Sequence, residues 1–143
     1  MSDQLLLVCV LVAAVGSSPL CGAAGFNAAQ ATAVTAAAQT SNQDGVKITV
    51  EPRGFPRAKA WDFAITLETH TRRLDDDLVS GTTLLADGKP YRPLRWEGSP
   101  PGGHHRKGIL SFGVVIPPPQ AVELQIRRPG EAGPRVFRWQ RGP

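Results

Sequence analysis

Strict alternation of apolar and polar residues is the feature that most constrains the fold of this chain. It occurs in the segments 46–51, 61–68 and 122–127, and the segment 136–139 continues the pattern less regularly. Successive side chains of a strand point to opposite faces of a sheet, so this period is typical of strands with one buried and one solvated face. The composition agrees, because 15 Gly and 13 Pro in 143 residues disfavour a helix bundle.

Turn residues divide the alternating segments at short intervals. Residues 82–86 and 91–96 are predicted as two further strands, and Asp87-Gly88 between them favours a type I′ hairpin. Pro90 places the second of these strands at a sheet edge, and the apolar run 109–116 indicates a central strand. A short helical turn is expected around residues 75–80. About seven strands in residues 46–143 predict an antiparallel, immunoglobulin-like β-sandwich.

The N-terminal residues are typical of an export signal. The run Leu5–Val15 contains eleven apolar residues, which is the length of a signal-peptide core and too short to span a membrane. Small residues follow, and cleavage after Ala24 would define residues 1–24 as a signal peptide, although its first residues lack Lys and Arg. The protein is therefore expected to be periplasmic or extracellular, without a transmembrane segment in the mature chain.

Both cysteines, Cys9 and Cys21, lie in this leader, so the mature chain would contain no disulfide and no thiolate. A lipid anchor at Cys21 is disfavoured because the residue before it, Leu20, is not small. Residues 25–45 are rich in Ala, Thr and Gln and lack an amphipathic face, which predicts a flexible tether.

The charge of the predicted domain is basic. From residue 46 onward the chain carries 16 basic and 10 acidic residues, a formal net charge of +6. Such a balance favours anionic neighbours, which are nucleic acid, lipid head groups or anionic cell-surface polymers. The expected partner is an anionic surface polymer or an envelope protein. Nucleic acid is disfavoured by the predicted export and because the aromatic residues fall mostly at core-facing positions.

Three polar segments carry the candidate site. They are Thr69-His70-Thr71, Asp75 to Asp77 and the stretch 100–106, which contains His104 and His105. In an antiparallel sandwich successive connections alternate between the two ends, so these segments and the loop around Gly130 are expected to share one end. That end is the predicted working surface.

Histidine and carboxylate side chains are suitable ligands for Zn²⁺ or Cu²⁺. The predicted metal ligands, if the cluster holds an ion, are His70, Asp75, Asp77, His104 and His105. Adjacent histidines on an extended backbone point apart, so only one of His104 and His105 would ligate easily. The spacing matches no recognised zinc motif, and three adjacent aspartates do not form the alternating loop that Ca²⁺ requires.

The same residues have an architectural interpretation, which the sequence leaves open. His70 would hydrogen-bond a loop carbonyl, and Asp75 would cap a helical turn. The carboxylates would pair with Arg72, Arg73 or Arg106. His104 and Arg106 would flank a Gly-rich turn and stack on Trp96.

Catalytic motifs are missing from the sequence. It has no G-x-S-x-G elbow, no phosphate loop and no dinucleotide-binding fingerprint. We therefore expect a non-catalytic binding domain without a resident cofactor, and a transition-metal protein using the histidine and aspartate residues as the alternative.

A resemblance supports the importance of the polar segments. The segment 61–112 resembles a group of uncharacterised exported bacterial β-domain proteins, which share three elements. These elements are T-H at 69–70, L-D-x-D-L at 74–78 and P-G-G-H-H-R-x-G-x-L-x-F at 101–112. The resemblance implies that the polar cluster is a feature of the group, and it implies no reaction.

Overall fold

A computed structural model of the protein describes residues 37–53 and 60–141. The predicted signal peptide, its cleavage site and both cysteines lie outside the described residues. Within those residues the chain forms nine strands and one short helix: β1 (Gln39–Gln43), β2 (Val46–Arg53), β3 (Ala60–Thr69), α1 (Leu78–Gly81), β4 (Thr82–Ala86), β5 (Lys89–Tyr91), β6 (Arg95–Gly98), β7 (His105–Gly113), β8 (Ala121–Ile126) and β9 (Arg135–Gln140).

The strands of the described residues form two sheets in which every pair is antiparallel. One sheet has the order β1-β2-β3-β7-β6 and the other the order β5-β4-β8-β9. The prediction of an all-β antiparallel sandwich is confirmed. The central position of β7 and the edge position of β5, which contains Pro90, are confirmed as well.

The core lies between the two sheets and is built from the inward residues of the alternating segments. Phe63 packs edge-on against Phe112, with ring centroids 5.6 Å apart, and lies 5.7 Å from Trp139 on the opposite sheet. Trp61 is also buried, as expected of an aromatic residue that fills the space between sheets. The period-two pattern therefore assigned the buried faces of these strands correctly.

The folded part begins earlier than the sequence pattern indicated. β1 pairs with β2 along its whole length, although Gln39–Gln43 lies in the segment predicted as a tether up to residue 45. Both residues of the connecting turn, Asp44 and Gly45, have positive φ values (49° and 76°), as a type I′ hairpin requires. Asp87 and Gly88 have the same conformation, which confirms the hairpin predicted there.

One predicted strand is divided between the two sheets. The segment 91–96 was predicted as a single strand, but β5 ends at Tyr91 in the four-stranded sheet and β6 begins at Arg95 in the other. Pro93, between them, has no N–H to donate to a ladder, so the chain leaves one sheet before it joins the next. β7 begins at His105, earlier than the predicted residue 109. The first inward residues of β7 are Arg106 and a glycine, so the apolar pattern did not reveal the start of the strand.

Candidate functional site

Four connections meet at one end of the sandwich, and all of them except the β1–β2 turn were predicted to lie there. They are the β1–β2 turn, the segment from β3 to α1, the β6–β7 loop and the β8–β9 loop. Backbone hydrogen bonds join two of them, since the Thr69 amide donates to the His104 carbonyl at 2.9 Å and the Leu74 amide donates to the Gly103 carbonyl at 3.2 Å. The segments that carry His70 and His104 are therefore held together.

All three histidines of the chain line one open depression of about 650 Å³, which we call the histidine depression. The three imidazoles are exposed. The lining residues come from β1, β2, β3, β7 and the loops between them, and they are Asn42, Gly45, Lys47, Glu68, Thr69, His70, Thr71, His104 and His105.

The floor of the histidine depression is a cross-strand row on the outer face of the five-stranded sheet. Asn42 lies opposite Lys47, Lys47 opposite Glu68, and Glu68 opposite His105. The Lys47 ammonium lies 2.6 Å from the Glu68 carboxylate, and its hydrogen bond and charge lower the pKa of Glu68 below the usual value. His105 Nδ1 lies 3.7 Å from the same carboxylate. The row therefore carries one ion pair, with an imidazole beside it.

The three consecutive aspartates have three different environments. Asp75 is exposed and pairs with Arg73 at 3.1 Å. Asp76 is buried. Asp77 is the N-cap of α1 and accepts hydrogen bonds from the Val79 and Ser80 amides. The hydrogen bonds from Ser80, first from its side chain and then from its amide, lower the pKa of Asp77 below the usual value.

The predicted metal cluster of His70, Asp75, Asp77, His104 and His105 is not assembled. Among the described residues, no group of three or more His, Cys, Asp or Glu side chains is placed to hold a metal ion. The histidines share a depression, but Asp75 and Asp77 are engaged by Arg73 and by the start of α1. The architectural interpretation therefore accounts for the aspartates, except that Asp77 and not Asp75 caps the turn.

A buried ion network beneath this end was not predicted from the sequence. Arg128 donates to both Asp76 oxygens, at 2.8 and 3.1 Å, and to Glu131 at 2.8 Å. Arg135 also donates to both oxygens of Glu131 and, through Nη1, to the Val46 carbonyl at 2.7 Å. Burial alone would raise the pKa of Glu131, but hydrogen bonds from Arg135 and Arg128 outweigh it and lower that pKa. The network ties the loops to the sheets.

Arg106 is a third buried cation, and it is held mainly by carbonyl groups. Its Nη1 donates to the Leu74 and Asp76 carbonyls at 3.1 and 2.7 Å, and its Nη2 to the Ser99 carbonyl at 3.3 Å. Its guanidinium lies 5.7 Å from the Trp96 ring, which confirms the predicted stacking. Burial lowers the pKa of Arg106. This side chain fixes two loops and does not face the histidine depression.

Several residues of the three elements that carry the resemblance have structural roles. Thr69 is buried, and its hydroxyl donates to the Gly45 carbonyl and accepts from the Thr71 and Arg72 amides. Leu74 and Leu78, the two ends of L-D-x-D-L, are in the core. In the third element the two histidines are exposed, and neither belongs to the core.

Comparisons with known proteins leave the family open. No family model matches the sequence, and no curated protein is similar to it. A search of solved structures finds a crystal structure of MPT63, a secreted protein from Mycobacterium tuberculosis. It is 19% identical in sequence, covers 75% of this chain and 94% of its own, and superposes with a TM-score of 0.44.

In the part of the chain that the structure describes, no helix has the length and apolar character needed to cross a bilayer.

Proposed function

We propose that this protein is an exported, non-catalytic binding domain and that the histidine depression is its contact surface for an anionic surface polymer. The observation that carries the proposal is the convergence of His70, His104 and His105 on one exposed depression of about 650 Å³. Support for export comes from the apolar run Leu5–Val15 and the small residues after it.

The charge of the histidine depression gives the expected ligand. Lys47 and Glu68 neutralise each other at 2.6 Å, so the lining has no formal net charge while the imidazoles are neutral. Histidine is the side chain that ordinarily gains its proton between pH 8 and 5. Protonation of three exposed imidazoles would add up to three positive charges to a surface that holds one compensated carboxylate. The surface then attracts polyanions, and it does so more strongly in mildly acidic medium.

A binding role also agrees with the hydroxyl groups at the site. The Thr69 hydroxyl, which is buried beside the histidines, makes three hydrogen bonds to the backbone and is not placed as a nucleophile. Glu68, the carboxylate nearest in sequence to His70, pairs with Lys47, and the three aspartates that follow are occupied by arginine or by backbone amides. This arrangement supports recognition by charge rather than acid–base chemistry.

The test is binding of the full chain to heparin, used as a sulfated polymer probe, at pH 5.5 and 7.5. We expect tighter binding at pH 5.5, weakening with added salt, and loss of this pH dependence in the variant H70Q/H104Q/H105Q. K89Q is the matched control, because Lys89 is an exposed cation on β5 of the other sheet. Equal binding at both pH values, or an unchanged pH dependence of binding in the triple variant, would overturn the proposal.

The metal alternative uses the same histidines and is tested on the same variants. Thermal melts of the full chain with and without Zn²⁺ or Cu²⁺ measure binding, because a ligand of the native state raises the melting temperature. A rise that requires the three histidines would make the depression a metal site and contradict a purely polymer-binding role. Unchanged melting temperatures would leave only the polymer proposal for this surface.

A further inference from the structure

A second depression lies on the outer face of the other sheet, beside α1. It has a volume of about 320 Å³, and we call it the arginine depression. Its lining residues come from α1, β4, β8 and two connections, and they are Ser80, Gly81, Thr83, Arg92, Gln125, Arg127 and Pro134. Two of these residues carry a positive charge and none carries a negative charge.

The two arginines of this depression lack carboxylate partners. Most described arginines have an acidic group within 4 Å, but neither Arg92 nor Arg127 has one among the described residues. Both side chains are exposed. Two like charges that face one small depression repel each other, and a bound anion would remove that cost. The charge pattern is therefore that of an anion site and not of a salt-bridged surface.

Hydrogen bonds place the Arg92 guanidinium and the Arg127 backbone beside α1. Arg92 Nη1 donates to the Ser80 carbonyl at 3.1 Å, which directs the guanidinium towards α1 and leaves its other N–H groups available. The Arg127 amide donates to the Gly81 carbonyl at 2.8 Å. A Cβ at Gly81 would lie 2.8 Å from the Arg127 carbonyl oxygen, so glycine permits this close approach of the two backbone segments.

The nearest carboxylates are engaged elsewhere. Glu123 accepts from Gln125 Nε2 and from Arg138 Nε, both at 2.6 Å. Asp77 caps α1. The donors that remain for a ligand are the free N–H groups of the two guanidinium groups, the Thr83 hydroxyl and the second N–H of the Gln125 amide.

We propose that the arginine depression binds a compact oxyanion, a phosphate or sulfate group, between Arg92 and Arg127. Guanidinium groups donate parallel hydrogen bonds to two oxygens of such a group, and charge-assisted bonds of this type are stronger than neutral ones. The volume suits one phosphoryl or sulfuryl group with a small substituent. This site is separate from the histidine depression and does not depend on the function proposed there.

The test is calorimetric titration of the full chain with inorganic phosphate, sulfate and glycerol 3-phosphate, with sodium chloride at equal ionic strength as reference. We expect saturable binding that weakens at least about tenfold in R92Q and in R127Q, since each change removes a charge-assisted donor. R141Q is the matched control, because Arg141 is another exposed arginine without an acidic partner among the described residues. The variant H70Q/H104Q/H105Q must bind these anions as the natural chain does.

The comparison of anions identifies the ligand chemistry. Tighter binding of glycerol 3-phosphate than of inorganic phosphate would indicate an organic phosphate, and a preference for sulfate would indicate a sulfated ligand. Absence of saturable binding for every anion, or equal weakening in R141Q, would overturn the proposal. Thermal melts of each variant check that the loss is local, and we expect melting temperatures near that of the natural chain because all three arginines are exposed.

Discussion

Asp75 and Asp76 are adjacent in sequence and each pairs with an arginine, yet the structure predicts very different costs for removing them. The Asp76–Arg128 pair is buried, with side chains 3% and 7% exposed, and is joined by two hydrogen bonds of 2.8 and 3.1 Å. The Asp75–Arg73 pair is 58% and 78% exposed and is joined by one bond of 3.1 Å. The substitutions D76N and D75N compare the two environments directly.

The magnitudes follow from burial. Removing one partner of a buried ion pair costs about 3–5 kcal/mol, because the other charge is left without compensation. Arg128 would keep its bond to Glu131, so we expect the low end of that range, about 3 kcal/mol, for D76N. An exposed pair contributes about 0.2–1 kcal/mol, so D75N should cost less than about 1 kcal/mol.

The assay is urea unfolding of the full chain, followed by tryptophan fluorescence, because Trp61 and Trp139 are buried in the core. At about 4 °C or more per kcal/mol for a domain of this size, D76N should also lower the melting temperature by about 12 °C. The double variant D76L/R128M should cost less than the summed single changes, since it leaves no unpaired buried charge. Equal free energies of unfolding for D75N and D76N would refute the reasoning.

Three further predictions test the loops and the sheet. The lowered pKa of Glu131 means that its contribution to stability is present above about pH 4.5 and is lost as the pH falls through the folded-state pKa. Urea unfolding between pH 7 and 3 should therefore show a shallower acid dependence for E131Q than for the natural chain. D77A should lower the free energy of unfolding by about 1 kcal/mol, since it removes the N-cap of α1, and retention of full stability would contradict that role. G108A should cost at least about 1–3 kcal/mol, because its Cβ would lie 2.6 Å from the Glu97 carbonyl oxygen, whereas G113A, with no atom within 4 Å, should melt near the natural temperature.

The strands that could be predicted are those whose inward residues are apolar. β2, β3 and β8 each place at least three aliphatic or aromatic side chains in the core at alternate positions, so the pattern gives both strand and face. β1 contains no apolar residue and buries none of its side chains fully, so hydrophobic alternation could not reveal it. A different signal was present, because Asp44-Gly45 before β2 is the same dipeptide that correctly predicted the β4–β5 hairpin.

The buried ion network was missed because charged residues were read as surface residues. Arg135 precedes Phe137 and Trp139 at the inward positions of β9, and Arg106 precedes Leu110 and Phe112 in the same way on β7. A cation at the same inward-facing positions as the apolar residues of a strand loses its hydration, so it requires hydrogen-bond acceptors from the protein. These positions were visible in the sequence, but the acceptors were not, since many of them are backbone carbonyls from distant segments.

The shared location of the candidate residues was predicted from topology, but their chemistry was not. Antiparallel connections bring His70, His104 and the aspartates to one end in any sandwich of this order. Whether Asp75 and Asp77 face the histidines depends on local backbone geometry, which the sequence pattern does not specify. In the structure Asp75 pairs with Arg73 and Asp77 caps α1. Of the predicted site residues, only the three histidines therefore share one depression.

The residues at this end of the sandwich fall into two groups, those that the fold uses and the three histidines, and this contrast points to the histidines as the functional residues. Asp76, Asp77, Thr69 and Arg106 each satisfy buried or terminal backbone groups or a buried charge, so the fold explains their presence. Among the described residues the three imidazoles make one ion-pair contact, between His105 and Glu68, and the core does not use them. The loops that carry them are nevertheless fixed to each other by backbone hydrogen bonds and by the network beneath. Side chains that a fold holds in place but does not need are free to be selected for a ligand, so substitutions there should change binding while the free energy of unfolding stays within about 0.5 kcal/mol of its natural value.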